Sequence, residues 1–299
     1  MESILKDAVA VSEQTAADII GHLTWGGLGE MLITPDDLKQ KLIASGLGEG
    51  WMPKEIRLPD AFRRATSAKF RRQVSDGVYE NYLFREVASD KLGVQRNLVR
   101  ETVDTRGKRL DYEGAAGTVL LDKKQGVASS SHTSAMAEQL VQNAVIRFDI
   151  YKNSYGSNTL RTVMMNILKS MSPTPVRVAG GVYFIPRKFE EQLRFYISFV
   201  RSLEKGEAEI IPLINTKDMK GMVTRKLSEH LQDTLEACEA GVINQLKKSE
   251  LKAILQDAKR VVEDYKHYES IVTGDLRDME SKCQLIRFKV AAALKNMAE

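Results

Sequence analysis

The sequence predicts an α+β protein, a small antiparallel sheet with packed helices followed by a long α-helical arm or helical hairpin. Three observations carry this. Apolar and charged residues alternate between Tyr79 and Leu121, as in a sheet with one wet face. Helix-period segments follow as far as Leu203. The last 83 residues then contain no proline and repeat apolar residues every three or four positions. A length of 299 residues fits about two domains, read here as an α+β body over residues 1–213 and a helical arm over 214–299.

Element by element, Ala16, Ile19, Ile20 and Leu23 have helical spacing, and Trp25-Gly26-Gly27 breaks it, so a helix is expected over Ser12 to Leu23. Thr34-Pro35-Asp36-Asp37 sets a cap and a proline at the first helical position, and Leu38, Leu42 and Ile43 give that helix its apolar face up to Gly46. Gly46, Gly48, Gly50, Pro53 and Pro59 mark a loop. Three strands follow, YENYLFREVAS, QRNLVRETVD and LDYEGAAGTVLLD, arranged as an antiparallel meander. Asp104 to Lys108 forms a hairpin connection, and Gly114 and Gly117 suggest a bulge. Ser129-Ser130-Ser131 reads as a small-residue connection into a helix reaching about Asn153, and a second helix spans Asn158 to Met171. VRVAGGVYFIP is β-like, Pro186 precedes another helix, and AEIIPLI is a last strand expected to pair with the Val176 to Ile185 run.

In the arm, Val223, Leu227, Leu231, Leu235, Cys238, Val242 and Leu246 form one ridge. A heptad-like ridge continues through Leu251, Ile254, Val261, Tyr265, Leu276, Met279, Ile286 and Val290, with a phase slip near Gly274 that marks a kink, an unwinding or a hairpin turn. A single helix from Lys217 would extend about 125 Å at ~1.5 Å per residue and would need a second helix to cover its stripe. That partner is either within the chain or in another subunit. A homo-oligomer built on these eight residues, coiled-coil fashion, is the expected assembly.

Composition narrows the classes. With 43% hydrophobic and 28% charged residues the chain is of ordinary globular type. Its first 25 residues carry Glu2, Lys6, Asp7, Glu13 and Asp18 and no signal-peptide core, and no apolar run nears the roughly 20 residues of a membrane span. Cys238 and Cys283 suit a reducing compartment and buried packing roles; a helical hairpin would bring them near each other, although sequence does not set the Cα separation a disulfide needs. A cytoplasmic protein without a membrane partner is expected.

Known chemistries find little support. His22, His132, His230 and His267 form no HExxH, HxH or Cys/His ligand set, and the cysteines have no CxxC spacing. No P-loop, Rossmann fingerprint or nucleophile elbow occurs, and the glycines of GGLGE and GLGEG lack the lysine and hydroxyl of a phosphate loop. No catalytic, metal or cofactor-binding residue is assigned, and no cofactor is expected.

The formal net charge of +4 is mild, but its distribution is uneven. Between residues 54 and 72 stand seven basic residues, Lys54, Arg57, Arg63, Arg64, Lys69, Arg71 and Arg72, against only Glu55 and Asp60. DAFRRATSAKFRR reads as a helix on which Phe62 and Phe70 recur at helical spacing. A phosphate backbone would satisfy several of these cations while the aromatic rings pack or stack on bases; an acidic protein surface, internal ion pairs or solvation would satisfy them equally.

Finally, GEGWMPKEIRLPDAFRRAT, RVAGGVYFIP and the charged helical tail together resemble an uncharacterised group of bacterial and bacteriophage proteins. The resemblance covers most of the chain and transfers no catalytic residue. It implies a phage or mobile-element protein that acts in a bacterial or infected bacterial cytoplasm and binds a host protein complex. The expected function is a non-enzymatic interaction scaffold or inhibitor, with nucleic-acid binding through the basic segment, to DNA or RNA, as the alternative.

Overall fold

Residues 19–177, 179–243, 248–272 and 277–298 are described by a computed structural model. The α+β class is as expected: antiparallel sheets, packed helices and a helical C-terminal third. Two compact units form, and each is discontinuous in sequence. Among the described residues one holds 19–29, 41–51 and everything from Arg161 onward; the other holds 30–40 and 52–160. The change of secondary structure near residue 213 therefore does not coincide with the division into units.

The first unit is organised by strand β1, Ile19–Leu28. This segment was expected to end a helix; residues 12–18 of that expectation lie outside the described residues. Ile19, Ile20, Thr24 and Trp25 are β-branched or aromatic, and such side chains fit a pleated surface better than a helical turn. Gly21 admits a close neighbour: a Cβ there would collide with the Ile185 carbonyl oxygen.

The chain continues through β2 (Leu32–Ile33), α1 (Pro35–Ala44), α2 (Leu58–Ala65), β3 (Lys69–Ser75), β4 (Val78–Ser89), β5 (Gly93–Asp104), β6 (Arg109–Asp122), β7 (Val127–His132), α3 (Ala135–Tyr151), β8 (Tyr155–Gly156), α4 (Ser157–Lys169), β9 (Thr174–Pro175), β10 (Tyr183–Pro186), α5 (Glu190–Ser202) and β11 (Gly206–Ile214). Helices α6 (Lys217–Ile243), α7 (Lys248–Tyr265) and α8 (Arg277–Ala298) end it. Thr34 caps α1 as expected, its Oγ1 accepting from the Asp37 N–H at 3.2 Å.

In the first unit the sheet order is β11-β1-β10-β9, all antiparallel. This corrects the expected pairing of AEIIPLI with the Val176 to Ile185 run. β1 lies between them, with Leu23 opposite Ile211 on one side and Phe184 on the other. Gly180 and Gly181, both at positive φ, turn the chain between β9 and β10. Helices α6, α7 and α8 contact one another and bury Val223, Leu227, Leu231, Leu255, Val261, Tyr265, Met279, Ile286 and Val290 in one core with Ile20, Phe184 and Leu213.

The second unit is a five-stranded meander, β3-β4-β5-β6-β7. Its three central strands match the expected ones. The register shift between Leu98 and Arg100 lies opposite Glu113 to Gly117, so the strand is bulged where Gly114 and Gly117 occur. Its two edge strands correct the sequence reading: Ser129 to Ser131 belong to β7, and DAFRRATSAKFRR is not one helix but α2 followed by β3. Both edges are mostly exposed and polar, so neither carries an apolar alternation. Helices α2 and α3 cover one face, burying Phe62, Ala65, Val141, Ala144 and Phe148 against Leu98, Val119 and Leu121.

Candidate nucleic-acid interface

Helix α2 begins at Leu58-Pro59-Asp60, with proline in its first turn and Asp60 at the positive end of the peptide dipoles. Its apolar side, Ala61, Phe62 and Ala65, faces the core, where Phe62 meets Phe148 edge-on with centroids 5.8 Å apart. That anchoring turns Arg63 and Arg64 outward. Thr66 ends the helix, its hydroxyl donating to the Phe62 carbonyl at 2.7 Å, and β3 starts at Lys69.

The junction of α2 and β3 forms one wall of a cleft of about 670 Å³. Arg63, Lys69, Arg71, Arg85 and Arg96 line it, together with Phe70, Tyr82 and Phe84; Glu101 is its acidic member. Glu101 is occupied by Arg109 at 3.0 Å. Arg96 is also engaged, donating to the Thr66 hydroxyl at 2.7 Å and lying 3.3 Å from Glu86. Arg71 stacks over Tyr79, its guanidinium carbon 4.2 Å from the ring centroid. Lys69 and Arg85 make no ion pair among the described residues.

Three of the seven basic residues expected to interact thus meet at the cleft, and four do not. Arg57 pairs with Asp60 at 2.6 Å. Arg64 lies over the Tyr151 ring at 3.9 Å, in the space left by Gly156. Lys54 sits in the loop before α2, where its carbonyl accepts from the Tyr155 hydroxyl at 3.3 Å. Arg72 donates to Glu80 at 2.8 Å.

Arg72 and Glu80 belong to a network that reaches the cleft through Tyr82. Tyr82 also donates to Glu80, at 2.9 Å, and Arg100 lies 3.6 Å from the same carboxylate and 3.1 Å from Asp111. Burial pushes the Glu80 carboxyl up, but the hydrogen bonds from Arg72 and Tyr82 and the two guanidinium charges outweigh it and hold Glu80 below the usual carboxylate range. Burial, then the Glu80 hydrogen bond and charge, raises the Tyr82 phenol.

Arg85 and Arg96 carry no site signal in the sequence, because each stands as the polar half of a strand alternation. The available signal was their strand position, which sets them beside the segment already noted for its charge.

The eight residues proposed as an oligomer stripe have another role. Val261, Tyr265, Met279, Ile286 and Val290 are buried in the first unit's own core, Leu251 and Ile254 pack partly buried against it, and Leu276 lies outside the described residues. The helix that covers the ridge is supplied by the same chain, which removes the reason for expecting a second subunit there.

The first unit also holds an apolar cavity of about 440 Å³ walled by Trp25, Met164, Met165, Leu168, Tyr183 and Tyr196. Burial pushes the Tyr196 phenol up to about 12. Its one arginine, Arg161, donates to the Leu28 carbonyl at 2.7 Å. Among the described residues no cluster of three or more His, Cys, Asp or Glu side chains is arranged to hold a metal ion. No described helix is long and apolar enough to cross a membrane.

A family model described as a family of unknown function, DUF6744, matches residues 19–299. No curated protein and no solved structure matches the chain.

Proposed function

We propose, on the premise that the chain belongs to the DUF6744 family, that it is a binding protein whose second unit takes the phosphate backbone of a single-stranded nucleic acid in the α2–β3 cleft. The observation that carries this is that Arg63, Lys69, Arg71 and Arg85 line one cleft together with Phe70, Tyr82 and Phe84, with Lys69 and Arg85 left without ion-pair partners among the described residues. Cations spaced along a groove and interleaved with aromatic rings suit a strand whose phosphates and bases alternate. Two free buried cysteines fit a reducing cytoplasm as the place of action.

The test is fluorescence anisotropy with a labelled single strand at several salt concentrations. Binding is expected to weaken steeply with salt, and Lys69→Glu with Arg71→Glu and Arg85→Glu is expected to abolish it at about 100 mM salt. Equal affinity of that variant and the parent would overturn the reading.

A second reading, a protein partner such as a host complex, is favoured by one observation. Leu92, Leu120 and Val127 are exposed near one end of the meander, where the β4–β5 and β6–β7 turns lie. Under this reading Leu92→Ser with Val127→Ser abolishes capture of a defined partner without changing strand binding.

A further inference from the structure

We infer that the strand held in the cleft inserts one unstacked base into the adjoining pocket under α3. This inference rests on the nucleic-acid reading above and adds a base-recognition site to it.

The pocket measures about 260 Å³ and continues from the cleft, sharing Ala68, Lys69, Phe70, Tyr82 and Phe84 with it. It is smaller than the roughly 300 Å³ at which pockets for drug-sized ligands begin, and suits one planar ring system. Its floor is aromatic and apolar: Phe70 and Tyr82 meet at a centroid distance of 6.2 Å with tilted planes. Phe70 is 39% exposed and belongs to the walls of both spaces. A ring so placed offers a face for stacking at the entrance.

The opposite wall explains why a base, rather than an aliphatic group, is the fitting occupant. Helix α3 buries Ala137, Val141, Ala144 and Phe148 against the sheet. Beside that stripe, Gln139, Asn143 and Arg147 recur every four residues, and all three line the pocket. The Gln139 and Asn143 amides are exposed and make no hydrogen bond within the described chain. A carboxamide presents one acceptor and two donors in a plane, the complement of a base edge. Arg147 and Lys69 supply positive charge to the pocket lining, where the flanking phosphates of an inserted nucleotide would need it. Ribose and deoxyribose strands share this chemistry, and both enter the test.

The experiment uses the full chain and two labelled 12-mers, one intact and one with abasic sites, each made as RNA and as DNA. Leu140→Trp fills the pocket without changing charge, and Gln139→Ala with Asn143→Ala removes the amides from an exposed helix side, which leaves folding intact. Each variant is expected to bind the intact strand about tenfold more weakly than the parent, with an unchanged salt slope. The parent is expected to lose about tenfold on the abasic strand, whereas the pocket-filled variant loses nothing further. If both variants and the abasic strand bind like the parent and the intact strand, while the Lys69, Arg71 and Arg85 substitutions abolish binding, the base pocket is overturned and the cleft reading stands. If no strand binds the parent at low salt, both fall.

Discussion

At the scale of single residues, Glu80 shows how a charge is kept in a nearly buried position. Three groups, Arg72, Tyr82 and Arg100, converge on it, so neutralising it weakens the bonds from Arg72 and Tyr82, while Arg100 keeps Asp111. Because the two arginines stay partly exposed, Glu80→Gln is expected to cost about 1–2 kcal/mol at neutral pH rather than the larger loss of a fully enclosed pair. The sign of its pH dependence follows from the lowered carboxyl. The folded state holds the ionised form more tightly, so this contribution is complete above the unfolded value of about 4.3 and disappears as pH falls through the folded one. Urea denaturation of parent and variant should therefore converge in acid. The thiols give a second residue-level expectation. Burial raises both, Cys283 to about 11, so alkylation by iodoacetamide at pH 8 should be slow in the native chain and rapid in denaturant. Rapid native labelling would contradict the core placement of these side chains.

At the scale of elements, the contact of α3 with the meander depends on a missing side chain. A Cβ at Gly117 would stand 2.8 Å from Val141 Cγ1 and 3.1 Å from the Ser131 carbonyl oxygen. Gly117→Ala is expected to destabilise by about 1–3 kcal/mol, and Val141→Ala in the same chain to recover part of that loss, measured as a coupling in denaturant titrations. In the first unit, Tyr268 joins the end of α7 to the chain around β9: its hydroxyl donates to the Ser172 carbonyl at 2.5 Å and accepts from Thr174 at 2.8 Å. Tyr268→Phe leaves two buried groups unpaired and is expected to cost about 1–3 kcal/mol by thermal unfolding. Elements with an apolar period were legible in sequence: α1 by its cap, β4 to β6 by alternation, and α6 to α8 by their ridge. The edges β3 and β7 were not, because strands wet on both sides need no apolar pattern. The cleft was half legible. Its charge lay in one segment, but the residues completing it, Arg85 on β4 and Gln139 and Asn143 on α3, are adjacent only after folding.

At the scale of the whole molecule, the helical third belongs to a core with β1, β10 and β11 rather than standing apart as an arm. Ile286→Asp places a charge at a fully buried bundle position and is expected to cost more than about 3 kcal/mol, lowering the melting temperature. Light scattering should show no halving of particle mass; an unchanged melting temperature with a halved mass would mean that the ridge joins subunits after all. The central place of β1 also sets a timetable for synthesis. Thr24 and Glu209, bonded side by side, are 185 residues apart in sequence. At about 5–20 residues per second the ribosome releases the mate of β1 roughly 10–40 s after β1 itself, whereas each strand of the meander meets its neighbour almost as it emerges. The nascent chain therefore carries an orphan strand past a neighbour that has already folded, and chaperone capture during translation should centre on residues 19–28.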